Sequence, residues 1–134
     1  ATHEWSDLIL SPDENILSTI EADLVDIELE FLAESGGSVA FNLREFEVTY
    51  DVDTRSLSSC KTSTGLSSVN GVVQLRILLD RSSLEVYGNN GEIYIPHVIF
   101  PQADDRSLSL TCKSKTKIHY IRVHEMKSSW DNTV

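Results

Sequence analysis

The chain has 134 residues, 40% hydrophobic and 24% charged, with 21 acidic and 11 basic side chains and a formal net charge of −10. That length makes one domain, able to bury roughly two thirds of its unfolded surface, and residues 1–134 are taken as a single unit. The acidic balance disfavours sequence-independent attraction to phosphate backbones or anionic lipids, and the apolar runs are too short for a membrane-spanning helix, so nucleic acid and membrane are poor partners.

From the N-terminus, ATHEWSDLIL has no basic region followed by an apolar core, so no secretion signal is expected in it. Pro12-Asp13-Glu14 reads as a turn or one helical turn. Between Glu14 and Glu34 the pattern is ambiguous, because Ile16, Ile20, Leu24, Ile27 and Phe31 also fall at helical spacing. A helix would set Asp26 and Glu30 as a like-charge i,i+4 pair and leave Leu29 off the apolar face. A strand from about Leu24 puts Ile27, Leu29 and Phe31 on one face and Asp26, Glu28 and Glu30 on the other, and it is the preferred reading. Alternation continues with Val39, Phe41 and Leu43, then Phe46, Val48 and Tyr50, with turns signalled at Gly36-Gly37, Asp51 to Thr54 and Asn70-Gly71.

The run LRILLDRSSLEVYGNNGE, Leu75 to Glu92, reads as two strands around a DRSS turn, followed by a second turn at Gly88-Asn89-Asn90-Gly91. Leu75, Ile77 and Leu79 alternate with Gln74, Arg76 and Leu78. Beyond the turn, Leu84 and Val86 alternate with Glu85 and Tyr87. The Asp80 carboxylate is placed to accept backbone N–H groups two or three residues on. Leu108, Leu110 and Cys112, and then Ile121 and Val123, complete the pattern of an all-β chain of two antiparallel sheets.

Charge is uneven along the chain. Residues 1–53 hold 14 acids and one base, Arg44, whereas residues 54–134 hold 7 acids and 10 bases. A solvated acidic face accounts for this. A sharper expectation is that DIELE, Asp26 to Glu30, lies beside the basic C-terminal strand around Lys115, Lys117 and Arg122, where cross-strand pairs contribute about 0.2–1 kcal/mol each.

Glycoside hydrolysis needs two carboxylates roughly 5–9.5 Å apart beside a sugar site. The available pairs are Asp104 with Asp105, Asp51 with Asp53, and Asp80 with Glu85, all better explained as turns or solvated strand faces. His3, His97, His119 and His124 lack metal-ligand spacing, and in a strand the five-residue step from His119 to His124 puts them on opposite faces. Cys60 and Cys112 are too few for a disulfide scaffold and are expected as free thiols; the lysine after each favours a thiolate if the sulfur is exposed. Trp5, Trp130, Tyr87 and Tyr94 could offer flat rings to a sugar, although core or interface packing is the plainer role, with Trp5 and Trp130 near the termini closing the sandwich or packing on a neighbour.

The hairpin LDRSSLEVYGNNG closely resembles VDRSSVEVFGNDG in the C-terminal β-sandwich module of glycoside hydrolase family 32, the β-fructosidases. The resemblance extends through SPDENILS (Ser11 to Ser18), ADLVDIELEF (Ala22 to Phe31), VTYDVDTRSL (Val48 to Leu57), VIFPQADDRSLSL (Val98 to Leu110) and IRVHEMKSSW (Ile121 to Trp130). It implies a two-sheet antiparallel sandwich of the concanavalin-like or jelly-roll type. It also implies a longer parent, an invertase, levanase, inulinase or sucrose-6-phosphate hydrolase, whose N-terminal five-bladed propeller performs the reaction. That propeller carries the family's NDP, RDP and EC motifs, and this sequence has none of them. No catalytic, cofactor-binding or metal-binding residue is therefore assigned, and no cofactor is expected. The implied role is to pack on and stabilise the propeller, with no hydrolase activity in the chain alone; the alternative is a fructan- or carbohydrate-binding module. A homodimer and a fructan contact are further partners that the resemblance raises, and secreted and cytoplasmic compartments both stay open. Between Thr62 and Val72 the chain is shorter than many family members.

Overall fold

The computed structural model describes residues 1–100 and 106–126 and contains eleven β-strands among them. They are β1 (Thr2–Leu10), β2 (Leu24–Leu32), β3 (Ser38–Leu43), β4 (Phe46–Asp51), β5 (Ser56–Ser59), β6 (Thr62–Gly65), β7 (Val72–Leu79), β8 (Ser83–Gly88), β9 (Ile93–Val98), β10 (Leu108–Cys112) and β11 (Thr116–Met126). Two antiparallel sheets result, in the orders β1-β11-β2-β7-β8-β9 and β10-β3-β4-β5-β6. This is the all-β two-sheet architecture that the alternation predicts.

The 14–34 ambiguity resolves as a strand. In β2, Val25, Ile27, Leu29 and Phe31 are buried while Asp26, Glu28 and Glu30 face outward. Burying such a side chain is worth about 1.5–3 kcal/mol, and a helix would have left Leu29 wet. Between the sheets, Phe31 meets the Tyr50 ring edge-on at 5.9 Å, and the Tyr50 hydroxyl donates to the Leu66 carbonyl at 2.5 Å. Burial pushes the Tyr50 phenol pKa up, so it stays a donor.

The Leu75–Glu92 hairpin forms as read, β7 against β8 with Leu79 opposite Leu84. Asp80 Oδ1 accepts from the Ser82 and Ser83 amides at 2.8 and 2.7 Å, and the Asp80 amide donates to the Ser83 carbonyl at 3.0 Å. Burial alone would raise the Asp80 carboxyl pKa, but the hydrogen bonds from Ser82 and Ser83 outweigh it and hold the group below its ordinary value. In the second turn Asn89, Asn90 and Gly91 all have positive φ, which the Asn-Asn-Gly sequence tolerates. Asn89 ties this turn down: its side-chain oxygen accepts from the Gln74 amide at 3.0 Å and its nitrogen donates to the Ser67 carbonyl at 2.7 Å.

The two halves of the charge distribution do meet. β11 lies between β1 and β2, and Arg122 pairs with Glu28 of β2 and Glu4 of β1, both at 2.5 Å. Lys117 instead stands opposite Ile9, and Lys115 precedes the strand. The second basic partner of the acidic strand is Arg76 of β7, bidentate on Asp26 at 3.0 and 2.7 Å.

One expectation is overturned. The register of β11 against β2 shifts between Ile118 and Tyr120, so that His119 is an extra residue. This bulge reverses the strand's phase. His119 reaches the outward Glu30 at 2.9 Å, and His124, opposite Asp26, faces outward as well, so the two histidines share a face.

Candidate functional site

The six-stranded sheet is organised on its outer face by one row of directly opposed residues, one from each strand: Glu4, Arg122, Glu28, Arg76, Tyr87 and Tyr94. Each is an outward position in its strand's alternation, and antiparallel register brings them side by side. Charge alternates along four members, and the row ends in two tyrosines whose rings stack at 4.8 Å with an interplanar angle of 27°. The Tyr87 hydroxyl donates to Glu85 at 2.7 Å, and that hydrogen bond to a carboxylate pushes its pKa up to about 12.

A groove of about 460 Å³ opens beside this row, where the 89–91 turn stands next to the sheet. Glu28, Gln74, Arg76, Leu78, Tyr87 and Asn90 line it. Arg76 spends Nε and Nη2 on Asp26, and Glu28 spends Oε2 on Arg122. Hydrogen bonding to Asp26, stronger than the opposing effect of burial, raises the Arg76 pKa, so the guanidinium is a fixed cation. Among the described residues, Arg76 Nη1 and the Asn90 side-chain amide make no hydrogen bond, and Glu28 Oε1 has only a long 3.9 Å contact with Arg76. The wall therefore presents donors and acceptors to whatever enters.

The residues singled out from sequence fall in different places. Tyr87 and Tyr94 come together, whereas Trp5 lies on edge strand β1, half-buried against the core and stacked on His3 at 6.3 Å. Asp51 accepts from the Asp53 and Thr54 amides, and Asp53 from the Gly36 amide, so that pair builds a turn. Asp80 and Glu85 are likewise committed, to the DRSS turn and to Tyr87. His3 meets Glu125 at 2.6 Å and His97 meets Ser59 at 3.0 Å. No group of three His, Cys, Asp or Glu side chains gathers as a metal site among the described residues. Asp104, Asp105 and Trp130 lie outside the described residues.

Cys60 and Cys112 are free thiols, Cys60 exposed and Cys112 buried. The expected thiolate bias does not arise, because burial pushes both thiol pKa values up and outweighs a hydrogen bond that lowers each. Sequence reasoning did not select Glu28, Gln74, Arg76 and Asn90. Their outward parity was visible, but their meeting depends on pairings up to fifty residues apart.

At the other end of the sandwich, Arg44 is nearly buried on the β3–β4 turn and has a positive φ of 59°. Its guanidinium donates to the carbonyls of Asp23, of Ala22 at 3.3 Å and of Asp80 at 3.1 Å. Burial lowers its pKa against the opposing pull of Asp23 and Asp80. These are structural contacts.

Residues 2–125 match the family profile described as "Glycosyl hydrolases family 32 C terminal". The chain belongs to this family. Like other family 32 C-terminal domains, it accounts for a fraction of a longer relative: it is 29% identical to a levanase of Bacillus subtilis (strain 168) over 97% of its own length and 23% of that protein. Among solved structures it resembles the exo-inulinase of Aspergillus awamori, with a TM-score of 0.71 and 22% identity, covering 97% of this chain and 29% of the enzyme. The Caenorhabditis elegans galectin LEC-6 shares the fold at a TM-score of 0.65 and 13% identity, covering 91% of this chain and 96% of the galectin. This family 32 domain thus spans under a third of the exo-inulinase and under a quarter of the levanase.

Proposed function

We propose that this domain is the non-catalytic C-terminal module of a β-fructosidase, packed on an N-terminal five-bladed propeller of the same chain that hydrolyses β-fructofuranosidic bonds in sucrose, levan or inulin. The observation carrying this reading is the match of residues 2–125 to a C-terminal domain family in a chain spanning only 23% of a levanase. The site chemistry agrees with an accessory role. A glycosidase needs one carboxyl to give a proton and another to attack or activate water, and the carboxylates beside the groove, Glu28 and Asp26, are instead engaged by Arg122 and Arg76.

Packing on a second body is supported by edge strand β9. Its outward positions, with the residue two beyond it, are Tyr94, Pro96, Val98 and Phe100, and Val98 and Phe100 are each 76% exposed. An apolar stripe on a strand that ends its sheet among the described residues is an association surface, and the remaining three quarters of a levanase-sized chain supply its occupant.

The test compares the purified chain, the propeller-containing parent, and the parent carrying Val98→Lys with Phe100→Lys. The parent releases fructose from sucrose or levan and the isolated chain releases none. The double substitution lowers the parent's thermal midpoint and leaves that of the isolated chain unchanged. Fructose release by the isolated chain, an unaffected parent midpoint, or a dimer of isolated chains abolished by the same substitutions would each overturn the reading.

A further inference from the structure

We infer that the groove between the outer face of the six-stranded sheet and the Asn89–Gly91 turn is a binding site for a neutral oligosaccharide, held by Glu28, Gln74, Arg76, Tyr87 and Asn90. The inference goes beyond the accessory role and does not depend on docking through β9.

The volume, about 460 Å³, falls within the range of small-ligand sites. Its chemistry narrows the class. Arg76 Nη1 is a donor without a partner among the described residues, and Glu28 Oε1, 3.9 Å from Arg76 Nε, is an adjacent acceptor. A sugar hydroxyl both donates and accepts, so neighbouring hydroxyls on one ring can satisfy such a pair. Asn90, which also lines the groove, adds a side-chain amide, and neither that amide nor the Gln74 carbonyl oxygen is hydrogen-bonded among the described residues, while the Gln74 nitrogen donates to Tyr120 at 2.6 Å.

Ion pairing disposes against a charged ligand. Arg76 is already neutralised by Asp26, and the acids Glu4, Asp26, Glu28, Glu30 and Glu85 outnumber Arg76, Arg122 and Lys117 on this face. A phosphate would meet that acidic surplus and, in the groove lining, only a guanidinium already paired with Asp26. The apolar components, Leu78 and the Tyr87 ring braced by Tyr94, suit the C–H face of a sugar.

The groups are also fixed before a ligand arrives. Arg76 and Glu28 belong to the Glu4–Arg122–Glu28–Arg76 chain of ion pairs, Tyr87 is held by Glu85 and Tyr94, and the turn bearing Asn90 is pinned through Asn89 to Gln74 and Ser67. Preorganisation of this kind lowers the entropic cost of binding.

The experiment titrates the chain alone with 1-kestose by calorimetry and follows backbone amide NMR shifts, with sucrose 6-phosphate as the anionic comparator. The expected result is saturable 1-kestose binding, with shifts centred on Arg76, Tyr87, Asn90 and Gly91, and weaker binding of the phosphorylated sugar. Asn90→Gly keeps the positive φ and removes the amide, and Arg76→Lys keeps the charge and removes the fork. Each weakens binding about tenfold, the loss of roughly one good hydrogen bond, while Ser58→Ala on the other sheet leaves it unchanged. Thermal melting of each variant verifies that the fold is retained. Absence of saturation, shifts centred elsewhere, preference for the phosphorylated sugar, or a folded Asn90→Gly chain with undiminished affinity would overturn the site. Because the readout uses the isolated chain, none of these outcomes bears on whether the domain packs on a propeller.

Discussion

Arg44 Nη1 donates to the Asp80 carbonyl at 3.1 Å, joining the β3–β4 turn of one sheet to the DRSS turn of the other. The same guanidinium also binds the Ala22 and Asp23 carbonyls at the entrance to β2. One side chain thus locks three segments at one end of the sandwich. Replacing Arg44 with methionine fills similar space but strands three carbonyls. We expect a loss of about 2–4 kcal/mol, read from the urea midpoint. Arg44→Gly also relieves the positive φ, worth about 1 kcal/mol, and still destabilises the chain. A midpoint at or above wild type in both variants would remove Arg44 from this role.

Asp80 gives the fold a defined acid sensitivity. Its folded-state pKa is depressed, so it contributes stability above its unfolded value of about 4, and that contribution is lost as pH falls through the lower folded value. Asparagine can still accept from Ser82 and Ser83 but cannot titrate. The stability difference between wild type and Asp80→Asn should therefore shrink as pH drops below about 4; a difference independent of pH would contradict the assignment.

Gly88 is required by its neighbour. A Cβ there would lie 2.7 Å from Leu66 Cδ2, and Leu66 is only 2% exposed, with little room to turn away. Gly88→Ala should cost about 1–2 kcal/mol. Adding Leu66→Val should recover part of it, and strict additivity in this double-mutant cycle would show that the two sites do not clash.

The cysteines differ in access. With an aromatic disulfide reagent, the folded chain should titrate one thiol, Cys60, and the unfolded chain two. Because burial raises the Cys60 pKa, its reaction should accelerate as pH rises past the ordinary thiol range. Two fast thiols in the folded chain would mean that Cys112 is not sheltered.

Strand faces were legible because burial imposes a period of two: β2, β7 and β8 follow their alternation without error. The DRSS turn was legible down to the hydrogen bonds of Asp80, since its chemistry is local. The histidine assignment failed because a single extra residue at His119 reverses parity, and no local residue type announces a bulge there. Arg44 did leave a signal, as the lone base among 14 acids in residues 1–53. The groove could not be read, because Glu28, Arg76 and Tyr87 become neighbours only once the register is set.

The strand order carries a consequence for biosynthesis. β11, the last strand among the described residues, is inserted between β1 and β2, the first two. As the ribosome delivers the chain, β1 and the free edge of β2 must wait until residues 116–126 emerge before their hydrogen-bonding partner exists. Topologies dominated by such distant pairings fold slowly and expose sticky edges meanwhile. Shielding of the Val25–Phe31 strand by a chaperone, or by an already folded neighbour on the same polypeptide, would bear directly on the yield of soluble protein.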